Sequence, residues 1–283
     1  MPEVAAGTAA ARRTPDGVSA MTFQPVIPSG GIVGWRFLQR TYDAQLESFS
    51  SSAVNERERQ YFLENIGNVR TAEDLVSDRR LLQVALGAFG LEDDINNRYF
   101  IQRILSDGTS ADDALSNRLA DSRYREFSEA FGLGPGEVRR TGLITDMEAI
   151  AQDNVVSRFE IAVGETDETM RISLYTRHTL TELAAQDSSG DTKWFDLMGQ
   201  SPLRSMMETA LGLRSSFAQL DIDRQLEVFK DRLTGLTGSD DLAQFTDEAA
   251  VATLTDQFLA RSQIAQLQST ISPAQTALIL LGG

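Results

Sequence analysis

The sequence predicts an all-α protein folded as a compact multi-helix body. Three observations lead there. Apolar residues recur at spacings of three and four along most of the chain. The segments that carry them open on capping residues and close on glycine. The composition, 41% apolar and 24% charged over 283 residues, is that of a chain able to bury a core.

Residues 1–20 are rich in Ala, Gly, Thr and Arg and are expected to be a disordered tail, with Met21 as an alternative start to Met1. Trp35, Leu38, Tyr42, Leu46 and Phe49 then make one helical face. Asn55 is the expected N-cap of a helix through Phe62, Ile66 and Val69. Thr71 and Asp74 form a capping-box pattern before Leu75. Leu81, Leu82, Ala85 and Phe89 make the next face, and Ile95, Tyr99, Ile101, Ile104 and Leu105 the one after. Ser110 and Asp113 are expected to cap a helix carrying Leu115 and Leu119. Tyr124, Phe127 and Phe131 follow. Gly132, Gly134, Pro135 and Gly136 break the pattern, which divides the chain into helical halves 21–136 and 137–283 unless both form one continuous domain.

Past the break, Thr145 and Glu148 read as a second capping box, opening a helix through Met147, Ala151, Val155, Phe159 and Ala162. A polar turn from Gly164 to Thr169 leads to a helix from about Met170 to Ala185. Phe159, Ile161 and Val163 alternate, as do Met170, Ile172 and Leu174, so residues 159–174 also read as a β-hairpin. The unbroken helical spacing from Ile144 favours the helices. Gln186 to Lys193 is a loop. Ser201-Pro202 starts a helix, Ser as cap and Pro in the first turn, carrying Leu203, Met206, Met207, Ala210 and Leu211. Leu226, Phe229 and Leu233 mark the next. Val251, Leu254, Phe258, Ala265 and Gln268 mark the last long one. Ser272-Pro273 opens a short apolar end with Leu278, Ile279, Leu280 and Leu281.

Three segments close alike: Ala88-Phe89-Gly90-Leu91, Ala130-Phe131-Gly132-Leu133 and Ala210-Leu211-Gly212-Leu213. The pattern is a helix stop, with Gly left-handed and the next Leu folded back on the last turn. The first and third are followed by similar helices, from Asn97 and from Asp223. A helix–Gly-Leu–helix unit of about 30 residues therefore reads as an internal repeat, or as one stop used again. Two units are too few for a solenoid.

Charge narrows the partners. Asp plus Glu number 41 against 26 Lys plus Arg, a net charge of −15, and no basic cluster stands in the sequence. Nucleic-acid binding and adhesion to an anionic membrane are therefore not expected. A basic protein partner is compatible with this balance, although an acidic balance is usually a solvated surface. The only lysines are Lys193 and Lys230, and cysteine is absent, which removes disulfides, thiolate nucleophiles and Cys-based metal sites. No run approaches the roughly 20 apolar residues of a membrane helix, and the N-terminus has no signal-peptide core.

No catalytic, cofactor or metal residue is assigned. His178 stands without Cys and without a nearby paired carboxylate, so it reads as a packed or surface helical residue. Glu92-Asp93-Asp94, Asp221 with Asp223, and Asp240-Asp241 sit where acids cap helices. Asp187 to Asp191 lacks the ligand spacing of a calcium loop. Gly30-Gly31-Ile32-Val33-Gly34 lacks the Gly-Lys-Ser/Thr ending of a phosphate loop. Trp35, Trp194, Met206 and Met207 read as core.

Thr22-Phe23-Gln24-Pro25-Val26, Gly34-Trp35-Arg36-Phe37-Leu38, Ala72-Glu73-Asp74-Leu75-Val76 and Asp78-Arg79-Arg80-Leu81-Leu82 resemble an alphaproteobacterial family, domain of unknown function 1217. The Ala-Phe-Gly-Leu and Ala-Leu-Gly-Leu stops and Trp194 before Ser201-Pro202-Leu203 fit it too. The resemblance runs from Met21 to about Leu267. It implies an all-helical fold and, because such genes often lie near flagellar ones, an association with the flagellum. It transfers no functional residue.

The expected function is a non-enzymatic structural or interaction protein of flagellar assembly or motility, bound to a flagellar component, and cytoplasmic or exported through the flagellar apparatus. The alternatives are a cytosolic helical adaptor unrelated to motility and, third, a metal-dependent hydrolase built on acidic residues.

Overall fold

The computed structural model describes residues 23–270, and over them the chain is all-α with no strand. The helices are α1 (Gly31–Ser50), α2 (Ala53–Asn65), α3 (Ala72–Ser77), α4 (Arg79–Ala88), α5 (Arg98–Asp107), α6 (Leu115–Arg118), α7 (Arg123–Phe131), α8 (Ile144–Thr166), α9 (Glu168–Ala185), α10 (Gly190–Gly199), α11 (Ser201–Ala210), α12 (Ile222–Thr237) and α13 (Glu248–Thr270). Short 3₁₀ turns cover Ile66–Asn68, Glu92–Asn96, Ser215–Gln219 and Leu242–Thr246. The tail at 1–20 and the apolar end after Ser272 lie outside the described residues.

Two cores hold the helices. The first buries Phe62, Leu75, Leu82, Leu86, Ile101, Ile104, Phe127 and Phe131, with Met147, Ile150 and Ala151 from the start of α8. The second buries Trp35 and Leu38 of α1 with Val155, Phe159 and Val163 from the rest of α8, and Trp194, Leu203, Met206, Phe229, Phe245 and Phe258. The cores thus cut the chain differently from the halves 21–136 and 137–283. Helix α1 precedes the first core in sequence yet packs in the second, where Tyr42 and Phe49 meet Phe159 edge-on at 5.5 and 5.6 Å. Helix α8, about 35 Å long at 1.5 Å per residue, is shared by both. An ion pair between Arg158 and Glu58 ties its second half to α2.

Local chemistry explains several helix ends. Thr71 and Asp74 form the full capping box: the Thr71 hydroxyl accepts from Asp74 N at 3.2 Å and the Asp74 carboxylate from Thr71 N at 2.9 Å. The three Gly-Leu stops all turn on left-handed glycines, with φ of 64°, 58° and 66° at Gly90, Gly132 and Gly212. Leu91 N donates to Leu86 O at 3.0 Å and Leu213 N to Glu208 O at 2.8 Å, the six-to-one bond of a Schellman motif; Gly132 uses the simpler bond to Ser128 O. After Gly90 and after Gly212 the same succession follows: a five-residue 3₁₀ turn and then a helix, α5 or α12.

Residues 159–174 are helical. Phe159 and Val163, four apart, are buried together, and α8 continues through Gly164 to Thr166. Asp167 then caps α9 by accepting from Thr169 N at 2.9 Å.

Five local expectations are corrected. Asn55 is not a cap: α2 begins at Ala53 after Ser52, and the buried Asn55 amide donates instead to Phe49 O at 2.7 Å, satisfying a carbonyl at the end of α1. Thr145 lies inside the first turn of α8, which starts at Ile144 after Leu143, so no box forms there. Ser110 caps nothing, because α6 is one turn from Leu115; the Thr109 and Ser110 hydroxyls are drawn instead to Glu137, at 2.9 and 3.3 Å. Ser201 is the first residue of α11 and Gln200 its cap position. The 186–193 loop shrinks to 186–189, because the Ser189 hydroxyl accepts from Thr192 N and starts α10 at Gly190.

Candidate functional site

A cleft of about 560 Å³ opens where α8 and α9 meet the end of α4 and the starts of α7 and α11. Its wall is polar. Asp153 and Glu160 come from α8, and Arg171, Tyr175, His178 and Glu182 from α9. Glu92 follows the α4 stop, Arg123 and Glu126 come from α7, and Tyr42 reaches in from α1. The spacing of His178 and Glu182, one helical turn, sets both on the face of α9 that looks into the cleft.

The centre of the site is a pair. Glu160, 5% exposed, places Oε1 3.1 Å from His178 Nε2, while His178 Nδ1 lies 3.1 Å from the Thr179 hydroxyl. The Tyr175 ring meets the imidazole edge-on at 5.6 Å. Burial works against the imidazolium, but the hydrogen bond to Glu160 and the charges of Glu160, Glu182 and Asp153 outweigh it, and His178 is pushed above its ordinary value. Burial raises Glu126, and burial followed by the charge of Glu182 raises Asp153. Tyr42 is pushed up to about 12 by burial and then by Glu160, and Tyr175 to about 12 by burial.

The two arginines of the wall are already engaged. Arg123 donates to Asp121 at 2.7 Å and to Gly90 O, and Arg171 pairs with Glu168. One carboxylate oxygen of Glu92 is buried with no hydrogen-bond partner among the described residues. The cleft therefore carries an excess of negative charge and one His–Glu pair that holds the imidazole proton more firmly than water does. Thr179 sits in the middle of α9, where neighbouring main-chain amides are spent on helix bonds, so no backbone oxyanion pocket stands beside its hydroxyl.

The structure gives His178 the paired carboxylate that its sequence neighbourhood lacks. Glu160 stands 18 residues earlier and on another helix. No motif signals the pair, because it exists only when α8 and α9 pack together. The other candidates remain apart from the cleft, Glu92 excepted. Asp221 caps α12 through Arg224 N at 2.9 Å, and Asp241 accepts from Ala243 N at 2.8 Å. Asp94 accepts from the Tyr124 hydroxyl at 2.6 Å. Asp191 pairs with Lys230, and Asp187 lies in the short loop before α10. The Gly30–Gly34 run opens α1: Gly31 has φ 66°, and a β-carbon at Gly34 would stand 1.7 Å from Ser29 O. Trp35, Met206 and Met207 are buried; Trp194 stacks on Phe229 and donates its Nε1–H to Asp240 O at 3.0 Å. Among the described residues, no three His, Cys, Asp or Glu side chains gather as a metal site, and no helix is long and apolar enough to cross a membrane.

A family model described as protein of unknown function (DUF1217) matches residues 88–251, from the end of α4 into α13. The chain belongs to the DUF1217 family. The match takes in α8 and α9, and so most of the cleft wall of this DUF1217 protein; the Gly34-Trp35 and Ala72-Glu73 segments lie before it. A crystal structure of protein AGR_C_984 from Agrobacterium tumefaciens is similar in fold, with a TM-score of 0.70 and 22% identity, over 86% of this chain and 99% of that one. No curated protein matches the DUF1217 chain.

Proposed function

We propose that the chain is a non-enzymatic structural or interaction protein associated with flagellar assembly or motility, with a protein component of the flagellum as its partner. The end of α13 supports the interaction part. Val251, Leu254, Phe258 and Leu259 anchor this helix in the second core. From Arg261 to Gln268 it runs on with almost every side chain exposed, Ile264 at 53% and Leu267 at 67%. A helix that continues beyond its core with apolar residues uncovered is the kind of element a partner covers. The flagellar part rests on the family resemblance alone, as does residence in the cytoplasm or export through the flagellar apparatus.

The experiment is swimming in soft agar by an in-frame deletion strain, with complementation. Loss of swimming restored by the gene supports the proposal. Normal swimming removes the flagellar part and leaves an adaptor unconnected with motility.

A further inference from the structure

We propose that the outer groove beside α12 docks an acidic amphipathic segment of a partner protein. This rests on the interaction reading above but does not need its flagellar part. The groove, about 610 Å³, is floored by Leu213, Phe217, Leu220 and Val228 and edged by Arg214 and Arg232. A second, smaller groove of about 350 Å³ adjoins it, sharing Arg232 and adding Leu236 and Arg261. On α12, Val228, Arg232 and Leu236 follow at four-residue steps and so form one outward stripe. Leu220 and Leu236 are 41% and 39% exposed.

Charge identifies the occupant. The chain carries −15, yet three arginines gather here, and among the described residues none of the Arg214, Arg232 and Arg261 side chains makes an ion pair or hydrogen bond. The one acid lining either groove is Asp231. Elsewhere the wall of the cleft between α8 and α9 uses its arginines internally, on Asp121 and Glu168. Guanidinium groups left free around an apolar floor match a segment whose leucine-type residues fill the floor while its carboxylates meet the rim. The Gly-Leu stop creates the place: Gly212 turns the chain away from α11, and Leu213 and Arg214 then face α12 across the groove.

The test uses the full purified chain and a fluorescent synthetic peptide of about 18 residues, helical, with Leu on one face and Glu on the other. Overall charge repels this probe from the protein, so attraction must come from the groove. Saturable binding is expected, weakening with added salt and falling at least about tenfold in the double variant Arg214→Glu, Arg232→Glu. Arg232→Lys is expected to keep most of it. Circular dichroism confirms that these exposed changes leave the helices intact. Absence of saturable binding, or binding unchanged in the folded double variant, overturns the proposal. Self-association in ultracentrifugation that Arg232→Glu abolishes would assign the groove to a second copy. Binding seen only after deletion of residues 271–283 would assign it to the chain's own end. Either result overturns the acidic partner. Normal swimming by the deletion strain leaves the groove standing, whereas lost swimming without peptide binding removes the groove alone.

Discussion

His178 is 46% exposed at its side chain, and its behaviour is set by what it faces: Glu160 and Asp153 from α8, and Glu182 on its own helix. Its folded-state value lies above the ordinary 6.5. The stabilisation that comes with protonation is therefore complete below about pH 6.5 and is lost as pH rises through the raised value. Melting temperature is expected to fall between pH 6 and 8 in the native chain, and to fall less in His178→Gln, which keeps a hydrogen bond to Glu160 without a titrating charge. Equal slopes in the two proteins would show that the imidazolium contributes nothing.

At the scale of the element, two similar capping patterns separate. Thr71 and Asp74 make both bonds of their box, while Thr145 is two residues too late to cap α8. Thr71→Ala is expected to cost about 1 kcal/mol, whereas Thr145→Ala stays within about 0.5 kcal/mol of the native chain. Urea denaturation of the two variants decides it, and equal losses would mean that the observed box is not what holds α3. The box at Thr71 was legible because every contact lies within four residues. The start of α8 was missed by two residues and that of α11 by one, which is the usual error where fraying competes with several possible first turns. Asn55 failed as a cap for another reason: its amide answers a carbonyl of the preceding helix, a partner that periodicity does not reveal.

Across the whole molecule, α8 makes the two cores one system. Its Met147–Ala151 stretch belongs to the first and its Val155–Val163 stretch to the second. Both tryptophans lie in the second core, so fluorescence reports that core alone while far-ultraviolet circular dichroism reports all helices. The two unfolding curves are expected to coincide, and to separate when two glycines are inserted between Gln152 and Asp153. Separate curves in the native chain would mean that α8 does not couple the cores. Charge acts at this scale too. Burial raises Glu126, Asp153 and Asp196, so the folded chain takes up protons before the unfolded one, and mild acid stabilises it. Three groups go the other way: hydrogen bonds from Arg70 N and Thr71 lower Asp74, and against burial the bonds from Tyr61, Leu81 N and Arg80 N lower Asp78 and those from Thr109 lower Glu137. Their contribution is lost as pH falls below about 4. Stability is therefore expected to peak between about pH 4.5 and 6.5, and a maximum above pH 7 in thermal melts would contradict these directions.

The sequence alone determined the helices, their apolar faces and the Gly-Leu stops, because each depends on residues within about five positions: a turn of helix, a cap, or a glycine able to take φ above zero. It favoured the helices over the hairpin at 159–174, because helical spacing runs unbroken from Ile144, and the structure decided between them. Tertiary structure alone decided that α1 joins the second core, that α8 serves both, that Glu160 faces His178, and that Arg214, Arg232 and Arg261 gather on one groove. These partners stand on different elements, and the only force that selects them is the joint burial of faces too similar in composition to name one another in advance.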